Sequence, residues 1–304
     1  FILHPSSFIL HPSSFIPHPS SFILMIFEIR HTTRYTYASP VGLASYTLRL
    51  RPRSDVTQSL LAFDLQVDPA PQTLVPCVDL DGNSSHAMWF SGNHRGLTLD
   101  TFSRVQTLRA NPLDFVFLDS ADTQLPLHYS SELATALAPY LLRAELSSQV
   151  DQLAQALHRE TGGDTLKFLV ELTRRIHSLC ETEHRDEGPA RAPEETLALK
   201  RGACRDLAVL MCDACRGIGI AARFVSGYHA GAGDDSELHA WTEVFLPGGG
   251  WRGFDPSIGL VVADRHVAVA AGTSPQHAAP GSGTFHGEAK ATTLHTEVAV
   301  REVT

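Results

Sequence analysis

No apolar run in the chain is long enough to cross a bilayer as a helix, and no run of lysine or arginine interrupts it. Lys and Arg number 24 against 33 Asp and Glu, a formal net charge of −9. That balance repels a phosphate backbone, so neither nucleic acid nor a membrane is an expected partner. Cysteine is scarce. The five residues at 77, 180, 204, 212 and 215 are odd in number and scattered, unlike a secreted disulfide framework. They suit a reducing compartment and a cytoplasmic location, where a thiol stays free for chemistry. With 304 residues, 43% hydrophobic and 19% charged, the chain has the composition of a globular protein with one large core or two smaller ones.

The first residues stand apart. FILHPSS occurs twice in tandem, then as FIPHPSS, then as FIL before Met25. Pro5, Pro12, Pro17 and Pro19 break any helix that a seven-residue period would suggest, and a signal peptide would carry a basic start. Residues 1–24 are therefore expected to be a non-native or disordered repeat, with the fold beginning at Met25.

From Met25 the pattern is β. Ile26, Glu28 and Arg30 alternate with Phe27, Ile29 and His31, and Thr47–Arg51 and Phe63–Asp68 alternate again. Asp81-Gly82-Asn83 and Ser91-Gly92-Asn93 supply turns. No metal spacing and no glycine-rich phosphate loop occurs in this half, which is expected to form a β-rich domain over 25–120. A helical period follows. Ser130 or Ser131, Ser147 and Asp164 are placed as caps ahead of leucine-rich faces, and a short helix is expected from Glu194 to about Lys200. Gly202-Ala203 then breaks the chain before a helix from about Cys204 to Arg216. Strands are expected at about 220–228, 238–246 and 251–254, the last two joined through Pro247-Gly-Gly-Gly. The catalytic core is expected over 121–290 and a C-terminal tail over 291–304.

Three residues carry candidate chemistry. Cys204 falls in the first turn of its helix, where unpaired N–H groups and the macrodipole favour an anion, and a thiolate is a nucleophile. A small buried helix residue is the commoner reading of a cysteine so placed. His239 lies in one strand and Asp255 ends the next. A hairpin folded about Pro247 makes them mirror partners, within about 5.5 Å across an antiparallel pair. A loop of different length shifts that register by a residue or two, and 16 histidines make chance pairings easy. Cys212 and Cys215 form a C-x-x-C inside a helix with no second half-site, which favours core packing over metal. His94, His184, His229 and His266 read as surface or structural histidines, and Glu181–Glu187 as a solvated charge run.

Four blocks settle the reading of the core. Gly202-Ala-Cys-Arg-Asp, Ala221–Tyr228, Leu238–Pro247 and Gly250–Ser257 closely resemble, in order and spacing, the core of bacterial transglutaminase-like proteins. His31–Tyr37, Leu48–Arg53 and Asp81-Gly-Asn resemble the β domain that precedes that core, so the resemblance spans Met25 to Gly287. It puts the family's nucleophile on Cys204, its base on His239 and its orienting acid on Asp255. It departs at Arg205, where the family favours glutamine.

The resemblance implies an α+β fold: a β-rich N-terminal domain, then a papain-like, transglutaminase-like core with helices packed on an antiparallel sheet. It implies cysteine-dependent acyl transfer on an amide substrate through a thioester. The expected partners are a protein or peptide amide and a primary amine acceptor; no cofactor and no metal are expected. An amidase or cysteine protease using the same three residues is the alternative enzyme, and a non-catalytic binding protein that keeps the fold is the alternative of another class.

Overall fold

The computed structural model describes residues 25–143, 146–185, 188–231, 237–288 and 292–303; the repeat at 1–24 lies outside the described residues. The fold is α+β. Its first part is an antiparallel sheet of β1 (Ile26–Leu48), β2 (Gln58–Asp68), β3 (Thr73–Val78), β4 (Ser84–Trp89) and β5 (Asn93–Thr107), in the order β2-β5-β1-β4-β3. Alternation builds it. Along β5, Leu97, Leu99, Thr101, Ser103 and Val105 are buried, and the residues between them are half-buried. The turns before β4 and β5 place Gly82 and Gly92 at φ of 81° and 82°, where a side chain is strained.

The helices follow: α1 (Ser131–Leu141), α2 (Ser148–Glu160) and α3 (Thr165–Leu179). Ser130, Ser147 and Asp164 cap them, each accepting a backbone N–H three residues on. Next, β6 (Glu181–Thr182) and β7 (Arg201–Gly202) form a short parallel ladder around α4 (Pro193–Leu199). Helix α5 (Cys204–Gly217) then leads into β8 (Ala222–His229), β9 (Leu238–Leu246), β10 (Gly250–Asp255), β11 (Leu260–Val261) and β12 (His266–Gly272). These five make a second antiparallel sheet, ordered β11-β10-β9-β8-β12. Leu207, Leu210 and Met211 of α5 share one core with Val244 and Leu246 of β9 and with Phe168, Leu172 and Ile176 of α3. The Thr242 hydroxyl donates to the Ala208 carbonyl at 2.8 Å, pinning helix to strand.

The chain then returns to the first sheet. Strands β13 (Gly281–His286) and β14 (Thr292–Val303) both pair antiparallel with β1, β14 continuously from Ile26↔Val303 to Tyr37↔Thr292. This corrects the expectation of a core reaching 290 and a tail over 291–304. The physical reason is that β1, paired with β5 along one edge, would otherwise present a second open edge, and the Thr- and Val-rich stretch from 292 has the composition to fill it.

The two sheets are joined by contacts of three kinds. Phe27, Ile29 and Val105 pack on Tyr228, Val267 and Val269. Side-chain amides cap the outer edge of β12: Gln58 accepts from Ala268 N at 2.7 Å and donates to its carbonyl at 2.9 Å, and Asn83 does the same for Ala271 at 2.8 and 2.7 Å. Each amide stands in for a neighbouring strand. Finally, Glu243 of β9 is buried between Arg53 and Arg223, each 2.6 Å away. Burial raises its pKa, but Arg53 and Arg223 outweigh that and bring it down to about 2.

Glu243→Gln leaves two buried guanidiniums against a neutral amide, and should lower the unfolding free energy at pH 7 by roughly 3 kcal/mol in urea titrations. The stabilising charge is present above the ordinary carboxylate value of 4.5 and is lost as pH falls toward 2. The deficit of the variant should therefore shrink over that range; a deficit that does not change with pH would contradict the pairing.

Candidate active site

Cys204 is the first residue of α5, and the helix start is organised from inside. Ala203 offers no capping oxygen, so Asp206 reaches back and accepts the Ala203 N–H at 2.9 Å, the carboxylate half of a capping box. Asp206 is buried, and Oδ1 also accepts from the Arg185 guanidinium at 2.5 Å and from Arg191 N–H at 2.9 Å. Arg191 in turn pairs with Glu183. The charge run read as a solvated face thus ties its segment to the start of α5. Gly202 permits the close approach, because a Cβ there would lie 2.9 Å from that of Asp206. Arg205 donates to the Arg185 carbonyl at 2.7 Å. The thiol is partly exposed and lines a cleft of about 350 Å³ with His239, Phe224 and Pro275.

The structure brings Cys204, His239 and Asp255 together. Asp255 Oδ2 accepts from His239 Nε2 at 2.6 Å, and the ring shares a cleft with the Cys204 thiol, which helps to raise its pKa. With Nε2–H given to the carboxylate, Nδ1 is the nitrogen left to exchange a proton with the sulfur. The expected register is corrected by two residues. The last β9–β10 pair is Phe254↔Thr242, which sets Asp255 beside Trp241 and leaves position 257, not 255, across from His239. The Pro247-Gly-Gly-Gly turn takes up two more residues on the β10 side than symmetry about Pro247 assumes: Leu246 pairs with Gly250 rather than with Gly248. A shift of two preserves the pleat, so Asp255 and His239 remain on one face as diagonal neighbours.

Two residues that sequence reading missed complete the site. Ser257 donates to Asp255 Oδ1 through both its N–H at 2.9 Å and its hydroxyl at 2.6 Å. His266, at the start of β12, donates Nε2–H to Asp255 Oδ2 at 3.1 Å. Asp255 is 0% exposed, so four donors replace its water. The Ser257 position was legible as an Asp-x-Ser turn, but nothing in the spacing pointed to His266, which comes from the far edge strand of the curled sheet. His229 stacks obliquely near both rings, 5.6 Å from His239 and 4.6 Å from His266. His184 pairs with Glu237 near the surface, and His94 is hydrogen-bonded to the Ser91 carbonyl.

Burial, the largest influence on each group, acts against charge, and the hydrogen bonds decide which groups keep one. For His239 burial lowers the pKa, but Asp255 and Cys204 together raise it to about 10. For Asp255 burial raises it, and the bonds from His239 and His266 bring it well below the carboxylate range. His266 is pushed down by burial, and His229 is lowered to about 4 by burial and by the neighbouring imidazoles. One cation and one anion are thus stabilised, with two neutral histidines around them. Among the described residues His239, Asp255 and His266 also present ligand atoms within 4.8 Å of one another and could hold a divalent cation. The atoms concerned are those of the hydrogen-bonded triplet. Cys212 and Cys215 are buried in the core, the former donating to the Thr242 hydroxyl at 3.6 Å.

His31 and His229 each have a folded pKa of about 4 against 6.5 in an open chain. Between those values the unfolded state binds protons that the fold refuses, so stability is lost as pH falls from 6.5 toward 4. His239, shifted the other way, contributes below 6.5 and loses its contribution as pH rises through 10. Calorimetry should show Tm declining from pH 6.5 to 4, and less steeply in His229→Phe; a level Tm would mean these rings protonate freely in the fold.

Residues 27–106 match the family model of the bacterial transglutaminase-like N-terminal region, and residues 151–256 that of the transglutaminase-like superfamily. An uncharacterized protein of Mycobacterium tuberculosis (strain ATCC 25618 / H37Rv) is 27% identical over 261 residues, 81% of this chain and 83% of its own. One from Mycobacterium leprae (strain TN) is 24% identical over 268 residues, 86% and 93% of the two chains. The solved structure of a candidate cysteine protease from Cytophaga hutchinsonii superposes with a TM-score of 0.69 at 20% identity, covering 92% of this chain and 91% of that one. Its fold is papain-like, as is the core here. With the N-terminal region and the core matched in order over more than half its length, this chain belongs to the transglutaminase-like superfamily.

Proposed function

We propose that the protein is a cysteine acyltransferase acting on amide substrates, with Cys204 as nucleophile, His239 as base and acid, and Asp255 as the orienting carboxylate. The observation that carries this is a thiol at a helix start that shares its cleft with His239, whose ring is hydrogen-bonded to a carboxylate sealed from water. The Cys204 proton rests on His239 Nδ1 in a thiolate–imidazolium pair, and the thiolate adds to the amide carbonyl carbon. The Cys204 backbone N–H, in the first turn of α5, supplies one donor to the oxyanion. As the C–N bond breaks, Nδ1–H protonates the departing nitrogen, and ammonia or an amine leaves a thioester on Cys204. A primary amine then attacks the thioester, His239 taking its proton, and the thiol is regenerated.

Transfer to water on the same three residues is the second reading, an amidase or peptidase. It is supported by the description of the Cytophaga hutchinsonii protein, whose fold this chain shares. Intact mass after incubation with glutamine peptides separates the two. Mass addition by a primary amine marks transamidation, a gain of one oxygen for one NH marks deamidation, and peptide fragments mark proteolysis. Cys204→Ala should remove every one of these while remaining folded; activity retained in that variant would end the proposal.

Asp255→Asn keeps the shape and loses the charge that holds His239 as imidazolium. It should slow turnover roughly ten- to thousand-fold, less than His239→Ala, because a thiol depends less on full proton abstraction than a hydroxyl does. The alkaline limb of the pH–rate profile, set by loss of the His239 proton near pH 10, should move to lower pH. A folded Asp255→Asn with wild-type rates at every pH would remove Asp255 from the mechanism.

A further inference from the structure

The cleft at Cys204 adjoins two larger hollows. On one side it meets a hollow of about 750 Å³ beside α5, the two sharing Phe224, Pro275 and Gln276. On the other it meets a cavity of about 650 Å³ between the two sheets, the two sharing Arg205, Leu238 and Pro280. The thiol therefore stands part-way along a furrow rather than at the bottom of a blind pocket.

The interdomain cavity has a wall that the catalytic core does not make. It is built by three cross-strand pairs of the first sheet: His31 with Val298, Thr33 with Thr296 and Tyr35 with Leu294, all lining the cavity. Alternation puts these six on one face of β1 and β14. The wall is aliphatic and hydroxyl-bearing. His31 adds no charge at neutral pH, since burial lowers it to about 4 while it hydrogen-bonds Tyr228 at 2.9 Å. A cavity of this size exceeds what one amide side chain fills; hydroxyls and aliphatic groups line it together with Arg185, Arg205, Glu237 and Glu297, a mixed surface that suits a polypeptide segment.

We propose that this cavity is a substrate subsite: β1 and β14 of the N-terminal sheet bind the polypeptide segment that flanks the reacting amide, and so help to set specificity. This rests on the functional reading above for the amide, and on the furrow alone for the segment. The β-rich domain then forms one side of the cleft, and the return of the C-terminus as β14 supplies half of the wall.

The test uses thiol-reactive peptides, which need the Cys204 nucleophile but no turnover. Iodoacetyl groups at the N-terminus and chloromethyl ketones at the C-terminus, each on one to four uncharged residues, extend from the sulfur in opposite directions. Labelling rates at Cys204 are read by peptide mapping, which separates it from the exposed Cys77. One of the two series should react about ten-fold faster at four residues than at one, the return of roughly one buried apolar side chain. Thr296→Trp, which fills the cavity from an exposed position, should abolish that gain and leave the one-residue probe unaffected. Thr293→Trp, on the same strand but not lining the cavity, should behave as wild type. No gain with length in either series, or a gain that survives Thr296→Trp, would overturn the subsite. A gain in labelling from a protein that turns over no amide would instead leave the subsite standing and remove the acyl-transfer reading. No reaction of Cys204 with any probe would remove both.

Discussion

Burial of the Asp255 carboxylate is the constraint on which the rest depends. A carboxylate with no exposed surface is stable as an anion only if donors replace its water, and here four do: two from Ser257 and one each from His239 and His266. Each requirement reaches outward. Ser257 fixes the turn after β10, His239 fixes the register of β9, and His266 requires β12 to close the curled sheet. Strand β12 is held in turn by Gln58 and Asn83, so the N-terminal sheet is coupled to the carboxylate through two successive contacts, amide to β12 and His266 to Asp255.

That coupling makes the two matched regions one physical unit. The Arg53–Glu243–Arg223 group and the apolar contacts of Phe27 and Ile29 bind the sheets together, and β13 and β14 carry the chain back across the junction. Removing the first sheet would expose the edge of β12 and strand the buried Glu243 with one arginine. The wall formed by β1 and β14, in the cavity that adjoins the Cys204 cleft, follows from the same docking.

Much of this was legible in the sequence, and the reasons for the rest are physical. Helix starts at Ser147 and Asp164 and the strands around His239 were readable, since caps and alternation are local signals. The hairpin alone puts Asp255 near His239, with the register two residues out. The pairing survived because a shift of two keeps a residue on its face of the sheet, whereas a shift of one would have lost it. His266 was out of reach, because its approach to Asp255 is made by curvature that brings an edge strand across the sheet, and no spacing rule encodes curvature. The same limit hid β14, whose partner lies more than 250 residues away in sequence.

The central claim is that Asp255 holds His239 as an imidazolium paired with the Cys204 sulfur. Nitrogen-15 chemical shifts of the histidine rings, followed by NMR from pH 5 to 11, test it most directly. His239 should remain protonated on both nitrogens until about pH 10, and should lose its proton at lower pH in Cys204→Ala and in Asp255→Asn. A neutral His239 ring at pH 8 in the wild-type protein would contradict it.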